Sequence, residues 1–143
     1  MQVFRMHGIS YKAFDTAGAL LHPGRWHSRG TRVVYAAEHA SLATLETLIH
    51  AGGRRIPPRA MTRIHFPEDL LIESAPWIEM PASQTFGDAW VREGRSAVLR
   101  VPSIAVNWMV SNFLLNPAHP DFPSIQHGIA ERFHFDPRFF LAT

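Results

Sequence analysis

Six polar residues stand at the ends or edges of elements that the chain would otherwise keep apolar: Arg5, Arg25, Tyr35, Glu46, Ser103 and Asn112. Three of them fall within Pro23 to His50, PGRWHSRGTRVVYAAEHASLATLETLIH. The most telling is Glu46. Leu42, Leu45 and Ile49 have the i, i+3, i+7 spacing of a buried helical stripe. At about 100° per residue, Glu46 lies ~40° from Leu42 and ~60° from Ile49, so it borders that stripe. A carboxylate there is partly desolvated and needs a cation or several donors. Arg25 and Arg32, just upstream, offer one answer, a structural ion pair. The other is a site carboxylate, and the spacing alone leaves both open.

Other chemistries fail on residue type. The nine histidines are scattered, with no H-x-x-x-H pair, and there is no cysteine, so no metal site is expected. G-x-S-x-G, a Walker loop and G-x-G-x-x-G are all missing. Ser103 has no local partner for a nucleophilic triad. It follows Pro102 directly, at the end of an expected strand, where a hydroxyl can serve a site or cap the next helix.

The elements that must position these groups alternate irregularly. Strands are expected at Gln2–Met6, Arg32–Ala37, Met61–Phe66, Leu70–Glu73, Val98–Val101 and Arg132–Phe135. In the first, Val3 and Arg5 share one face and Phe4 takes the other. One helix follows an N-cap at Ser41 and ends at Gly52-Gly53. A second spans Ser83 to Glu93, buries Phe86, Ala89 and Trp90, and stops at Gly94. Asn116-Pro117-Ala118-His119-Pro120 must be an ordered turn, which Asn112 could tie down. The pattern is that of an α+β protein with a mixed sheet, not a doubly wound one.

With 143 residues, 46% of them apolar and 18% charged, the chain suits one soluble domain over 1–143. No apolar run approaches the ~18 residues of a membrane span, and the N-terminus has no signal-peptide core. A cytoplasmic protein without membrane contact is the expectation. Thirteen arginines accompany a single lysine. The cluster Arg54, Arg55, Arg59 and Arg63 lacks interleaved aromatics, so it reads as a solvated surface or a partner contact rather than a nucleic-acid site.

Five ordered pieces carry a resemblance: G-R-W before a glycine turn, V-V-Y-A-A-E, S-L-A-T-L-E, R-V-P-S, and N-x-x-L-N-P-x-H-P. With the closing FHFDPR, they make the chain similar to the RES domain, the toxin half of bacterial RES–Xre toxin–antitoxin pairs. The match runs from Arg5 to Phe135. One departure is Pro23-Gly24-Arg25-Trp26-His27, where the family usually shows two glycines and ends in asparagine.

The resemblance implies a compact fold similar to ADP-ribosyltransferase toxins, with NAD+ as substrate and no metal. Glu46, Arg25 and Ser103 would be catalytic. Arg5, Arg25, Tyr35, Ser103 and Asn112 would hold the dinucleotide, Tyr35 by stacking on nicotinamide. Each has a plainer alternative: Arg5 or Arg25 paired with Glu46 or Glu38, Tyr35 in the core, Ser103 as a cap, Asn112 in the turn. The implied partner is a cognate Xre-like antitoxin, through which alone nucleic acid would be met. A homodimer is compatible with the sequence, which does not require one. The acceptor stays open between water or phosphate and a cellular protein, and a non-catalytic binding module is the reading from another class.

Overall fold

The computed structural model describes residues 1–140. Seven strands form one mixed sheet: β1 (Gln2–Gly8), β2 (Val34–Ala37), β3 (Arg59–His65), β4 (Ile72–Ser74), β5 (Val98–Pro102), β6 (Ser111–Leu115) and β7 (Gln126–Phe133). Their order is β4-β5-β6-β2-β1-β3-β7. Only β4 and β5 pair in parallel, and the other neighbours are antiparallel. The helices are α1 (Ala17–Leu21), α2 (Ala40–Ala51) and α3 (Ala82–Glu93). The expected α+β class with a mixed sheet is what the chain adopts.

β1 and β3 pair along their whole length, Gln2 with His65 through Gly8 with Arg59. β1 meets β2 at a single register pair, Phe4 with Ala37. Strands on both sides of this seam nevertheless share one core: Val3, Ile64 and Phe66 pack with Val34, Ala36, Val98, Phe113 and Leu115. Strand alternation sends the neighbouring residues to the other face. There Trp26, Val33, Leu99, Val101 and Leu114 pack with Trp90 of α3. Ala37, Met61, Phe4 and Met6 pack with Leu42 and Ala43 of α2. The two helices therefore cover different ends of the same face.

Both long helices stop as expected. Gly52 (φ 56°) and Gly94 (φ 58°) are left-handed, a conformation glycine takes at no steric cost, and their N–H groups close onto the last carbonyls. α2 begins two residues early, with His39 rather than Ser41 as its N-cap. Its buried side is Leu42 and Ala43, while Ile49 is 55% exposed. The stripe thus leans towards the small Ala43.

Towards the C-terminal end, residues 104–115 form a 3-10 turn (Ile104–Val106) followed by β6, and Ser103 makes no side-chain cap. The last strand lies at Gln126–Phe133, not Arg132–Phe135. β7 is a sheet edge, exposed nearly throughout and carrying a register shift opposite Thr62 and Ile64, so burial imposes no alternation on its sequence. Among the described residues, no helix is long and apolar enough to cross a membrane.

α3 touches the Gly24–Thr31 segment so closely that a Cβ on Gly87 would lie 1.7 Å from the Trp26 carbonyl oxygen. Gly87→Ala must push helix and loop apart. We expect a loss of about 1–3 kcal/mol, the usual cost of overpacking, seen as a lower urea midpoint with an unchanged slope. An unaltered midpoint would show that the contact yields freely.

Candidate functional site

Glu46 follows Leu42 by four residues and Ala43 by three, so it sits on the sheet-facing side of α2. Its Oε1 accepts two hydrogen bonds, from Ser103 Oγ and from Asn112 Nδ2, each 2.9 Å. The donors come from adjacent strands. Val101 of β5 is in register with Asn112 of β6, and Ser103, two residues beyond Val101, shares its face. Ser103 is 1% exposed. Its backbone is fixed as well: its N–H donates to Val110 and its carbonyl accepts from Trp108 at 2.7 Å. The loop so closed holds Asn107 (φ 55°) and Trp108 (φ 60°) in left-handed conformations that side chains avoid.

No arginine reaches Glu46. Arg32 Nη1 donates to Thr16 Oγ1, 3.1 Å away. The Arg25 side chain has neither hydrogen bond nor ion pair among the described residues. The structural ion pair at the helix edge is therefore not formed, because two neutral donors on the sheet meet the carboxylate first. Both bonds converge on one oxygen, which leaves Oε2 able to accept from a ligand. Glu38, the other carboxylate offered to the arginines, accepts the Ser111 N–H at 2.8 Å instead and steadies the start of β6.

Arg25 and Trp26 occupy the middle of a four-residue turn closed by the Gly24 N–H on the His27 carbonyl, 3.1 Å. Trp26 points into the core and is 2% exposed. α3 grips the turn from outside. Ser83 Oγ donates to the Arg25 carbonyl at 2.5 Å and Gln84 Nε2 to the Gly24 carbonyl at 2.8 Å. Asp88 Oδ1 accepts from the Ser28 N–H and the Thr31 hydroxyl, both 2.9 Å. Burial opposes ionisation of Asp88, but the hydrogen bonds from Ser28 and Thr31 outweigh it and hold the carboxyl below its ordinary pKa.

Tyr35 lies on β2 opposite Leu114, two residues before Ala37, which is in register with Asn112. Tyr35 and Asn112 thus share one face on neighbouring strands. The Tyr35 hydroxyl bonds His27 Nδ1 at 2.7 Å and accepts the Trp26 N–H at 3.3 Å. Burial pushes the phenol pKa up, so it stays protonated. Arg5 is placed apart: alternation puts it with Val3 on the opposite face. Its Nη1 donates to the Tyr35 carbonyl at 2.7 Å and its Nη2 to the Asp15 carbonyl at 3.4 Å. Burial, only partly offset by Asp15, lowers its pKa to about 10. The structure brings Glu46, Ser103 and Asn112 into contact and sets Tyr35 beside them; it does not bring Arg5 to Glu46.

The RES domain model matches residues 2–136. The chain belongs to the RES domain family. It is 35% identical to the Prs ADP-ribosylating toxin of Sphingobium sp. (strain YBL2) over 144 residues, covering 90% of this chain and 89% of that protein. It is 34% identical to the toxin Res of Photorhabdus laumondii over 134 residues, 85% of each chain. The toxin Res of Pseudomonas putida is 32% identical over 143 residues, 92% of this chain and 95% of that one. Among solved structures, the MbcT–MbcA toxin–antitoxin complex of M. tuberculosis superposes with a TM-score of 0.70 at 16% identity, covering 92% of this chain and 83% of that chain. That likeness establishes a shared fold.

For this RES domain, sequence reasoning missed His27, Ser83, Gln84 and Asp88. The α3 bonds to the turn join residues 57 to 60 positions apart, which no local spacing reveals. Three of the four clustered arginines are exposed: Arg54 caps the carbonyls of His50 and Ala51, Arg63 pairs with Glu131 in solvent, and Arg55 lies between them, whereas Arg59 is half-buried. No three His, Asp or Glu side chains gather as metal ligands among the described residues.

The lowered Asp88 pKa makes a signed expectation. A folded value below the unfolded one, about 3.9, gives stability that is present above pH ~4 and lost as pH falls through the folded value. The gap in urea midpoint between wild type and Asp88→Asn should therefore shrink in acid. A gap that stays constant down to about pH 2 would show that ionised Asp88 contributes nothing.

Proposed function

We propose that this RES domain is the toxin of a toxin–antitoxin pair and cleaves the nicotinamide–ribose bond of NAD+. The observation that carries the reading is Glu46, a carboxylate held by Ser103 and Asn112 with one oxygen left unbonded. Breaking the glycosidic bond leaves positive charge on the ribosyl C1′, as in glycoside cleavage. A preorganised carboxylate steadies that charge in the transition state, and its Oε2 can accept from a ribose hydroxyl. Ser103 and Asn112 orient the carboxylate without neutralising it, whereas an arginine partner would have cancelled much of its field.

Arg25, which has no partner among the described residues, offers a planar fork to the pyrophosphate. Tyr35 presents a ring to the flat nicotinamide while its hydroxyl is pinned behind. Arg5 supports the site from the other face through the Tyr35 carbonyl. Nicotinamide leaves with the bonding electrons, and water or phosphate adds at C1′, giving ADP-ribose or its 1-phosphate. A second reading has support in the name of the Sphingobium relative, an ADP-ribosylating toxin: the same cation is captured by a nucleophile on a cellular protein. An Xre-like antitoxin would restrain either activity. NAD+ offered with and without phosphate and protein, followed by product identification, separates them.

Glu46→Gln keeps the shape and removes the charge. We expect a folded protein with NAD+ turnover lowered on the order of 10²–10³, the cost of a lost preorganised electrostatic contact, and no toxicity on expression. A stable, fully active variant would sink the reading. Arg25→Lys should weaken NAD+ binding with an unchanged circular dichroism spectrum, since a point charge replaces a fork. Unchanged affinity would remove Arg25 from the site.

A further inference from the structure

We propose that His27 is a positioning residue of this site: one buried imidazole ties the Arg25 turn, the Tyr35 ring and α1 into a single rigid unit. The proposal rests on the NAD+ reading for its kinetic consequence and on geometry for its structural one. His27 is 2% exposed. Its Nε2 faces two carbonyl oxygens, Ala19 at 2.8 Å and His22 at 3.0 Å. Carbonyls only accept, so Nε2 carries the proton. Nδ1 is then the acceptor for the Tyr35 hydroxyl, whose oxygen receives the Trp26 N–H in return. The bonds therefore run in one sense, from the Trp26 N–H through the Tyr35 hydroxyl and the His27 ring to the Ala19 and His22 carbonyls, which share the Nε2 proton.

The consequence falls on Arg25. Gly24 is bonded to the His27 carbonyl. It also packs so tightly that an added Cβ would stand 2.6 Å from the Tyr35 hydroxyl and 2.9 Å from His27 Cε1. Trp26, on the other side, has its N–H on the same hydroxyl and its indole in the core. Arg25 is thus suspended between two residues that the His27–Tyr35 pair immobilises, while α3 holds its carbonyl. A shorter side chain at 27 could not span from the α1 carbonyls to β2. The cation that would meet pyrophosphate is placed by a residue that touches no substrate.

The test uses the whole protein and three variants. His27→Phe keeps the ring and removes both nitrogens. His27→Gln restores a donor and an acceptor, and Tyr35→Phe deletes only the hydroxyl. Because the pair positions a binding group and not the reacting carboxylate, His27→Phe and Tyr35→Phe should raise KM for NAD+ about tenfold, the worth of one charge-assisted contact. For His27→Phe, kcat should stay within roughly threefold of wild type. His27→Gln should recover part of the affinity. Backbone hydrogen exchange should quicken at residues 24–28 and stay unchanged in α2. Nitrogen-15 spectra of the wild type should show the proton on Nε2.

An unchanged KM in a folded Tyr35→Phe protein would overturn the proposal. So would unchanged exchange at 24–28, a proton on Nδ1 in place of Nε2, or kcat falling with the folded fraction at constant KM. If His27→Phe does not fold, Tyr35→Phe decides. A wild-type protein that neither binds nor consumes NAD+ would sink the functional reading instead, and the exchange and nitrogen-15 measurements would still judge His27.

Discussion

A carboxylate facing a sheet from the middle of a helix must be met by donors, and Glu46 is met by residues 57 and 66 positions away. That constraint organises the surrounding chain. β5 must end just before Ser103, β6 must pair Asn112 with Val101, and the loop between them must fold back on itself. The loop accepts two left-handed non-glycine residues to do so, at a cost of about 1–3 kcal/mol each. Glu38 secures the β6 end of the arrangement through the Ser111 amide. Replacing the two neutral donors by one arginine would satisfy the charge just as well. It would also quench the field of the carboxylate.

The turn that carries Arg25 is built on a different support. α2 delivers Glu46, whereas α3 and α1 together hold the turn that carries Arg25. These helices meet the same face of the sheet at different ends, and Tyr35 and Asn112 lie on neighbouring strands of that face. Glu46 and the Arg25 turn are thus anchored separately, one through α2 and the β5–β6 end of the sheet, the other through α3 and α1. The small residues Gly24 and Gly87 occur where neighbouring elements close on the turn, and there any side chain would strike a neighbour.

Arg5 shows how one sheet serves site and core at once. It lies on the face away from Glu46, donates to the Tyr35 carbonyl and is buried enough for its pKa to fall to about 10. A cation kept there at such cost holds β2 against the segment after β1, and so fixes the strand from which Tyr35 projects. Among the described residues its Nε has no hydrogen-bond partner, nor has that of Arg59.

What the sequence by itself determined was local. Glycine stops at Gly52 and Gly94 ended the long helices, alternation set the faces of β1 and β3, and helical spacing put Glu46 beside the buried stripe. These follow from periods of two and 3.6 residues and from the conformational freedom of glycine. The RES motifs added the order of the site residues along the chain. Tertiary structure alone decided who meets whom: Ser103 and Asn112 rather than Arg25 or Arg32 at Glu46, His27 behind Tyr35, Ser83 and Gln84 on the Arg25 turn. It also decided the extent of β7, whose exposed edge leaves no burial pattern to read. Each of these is a long-range hydrogen bond or register choice, made by competition among donors that only the folded chain brings within 3 Å or so of one another.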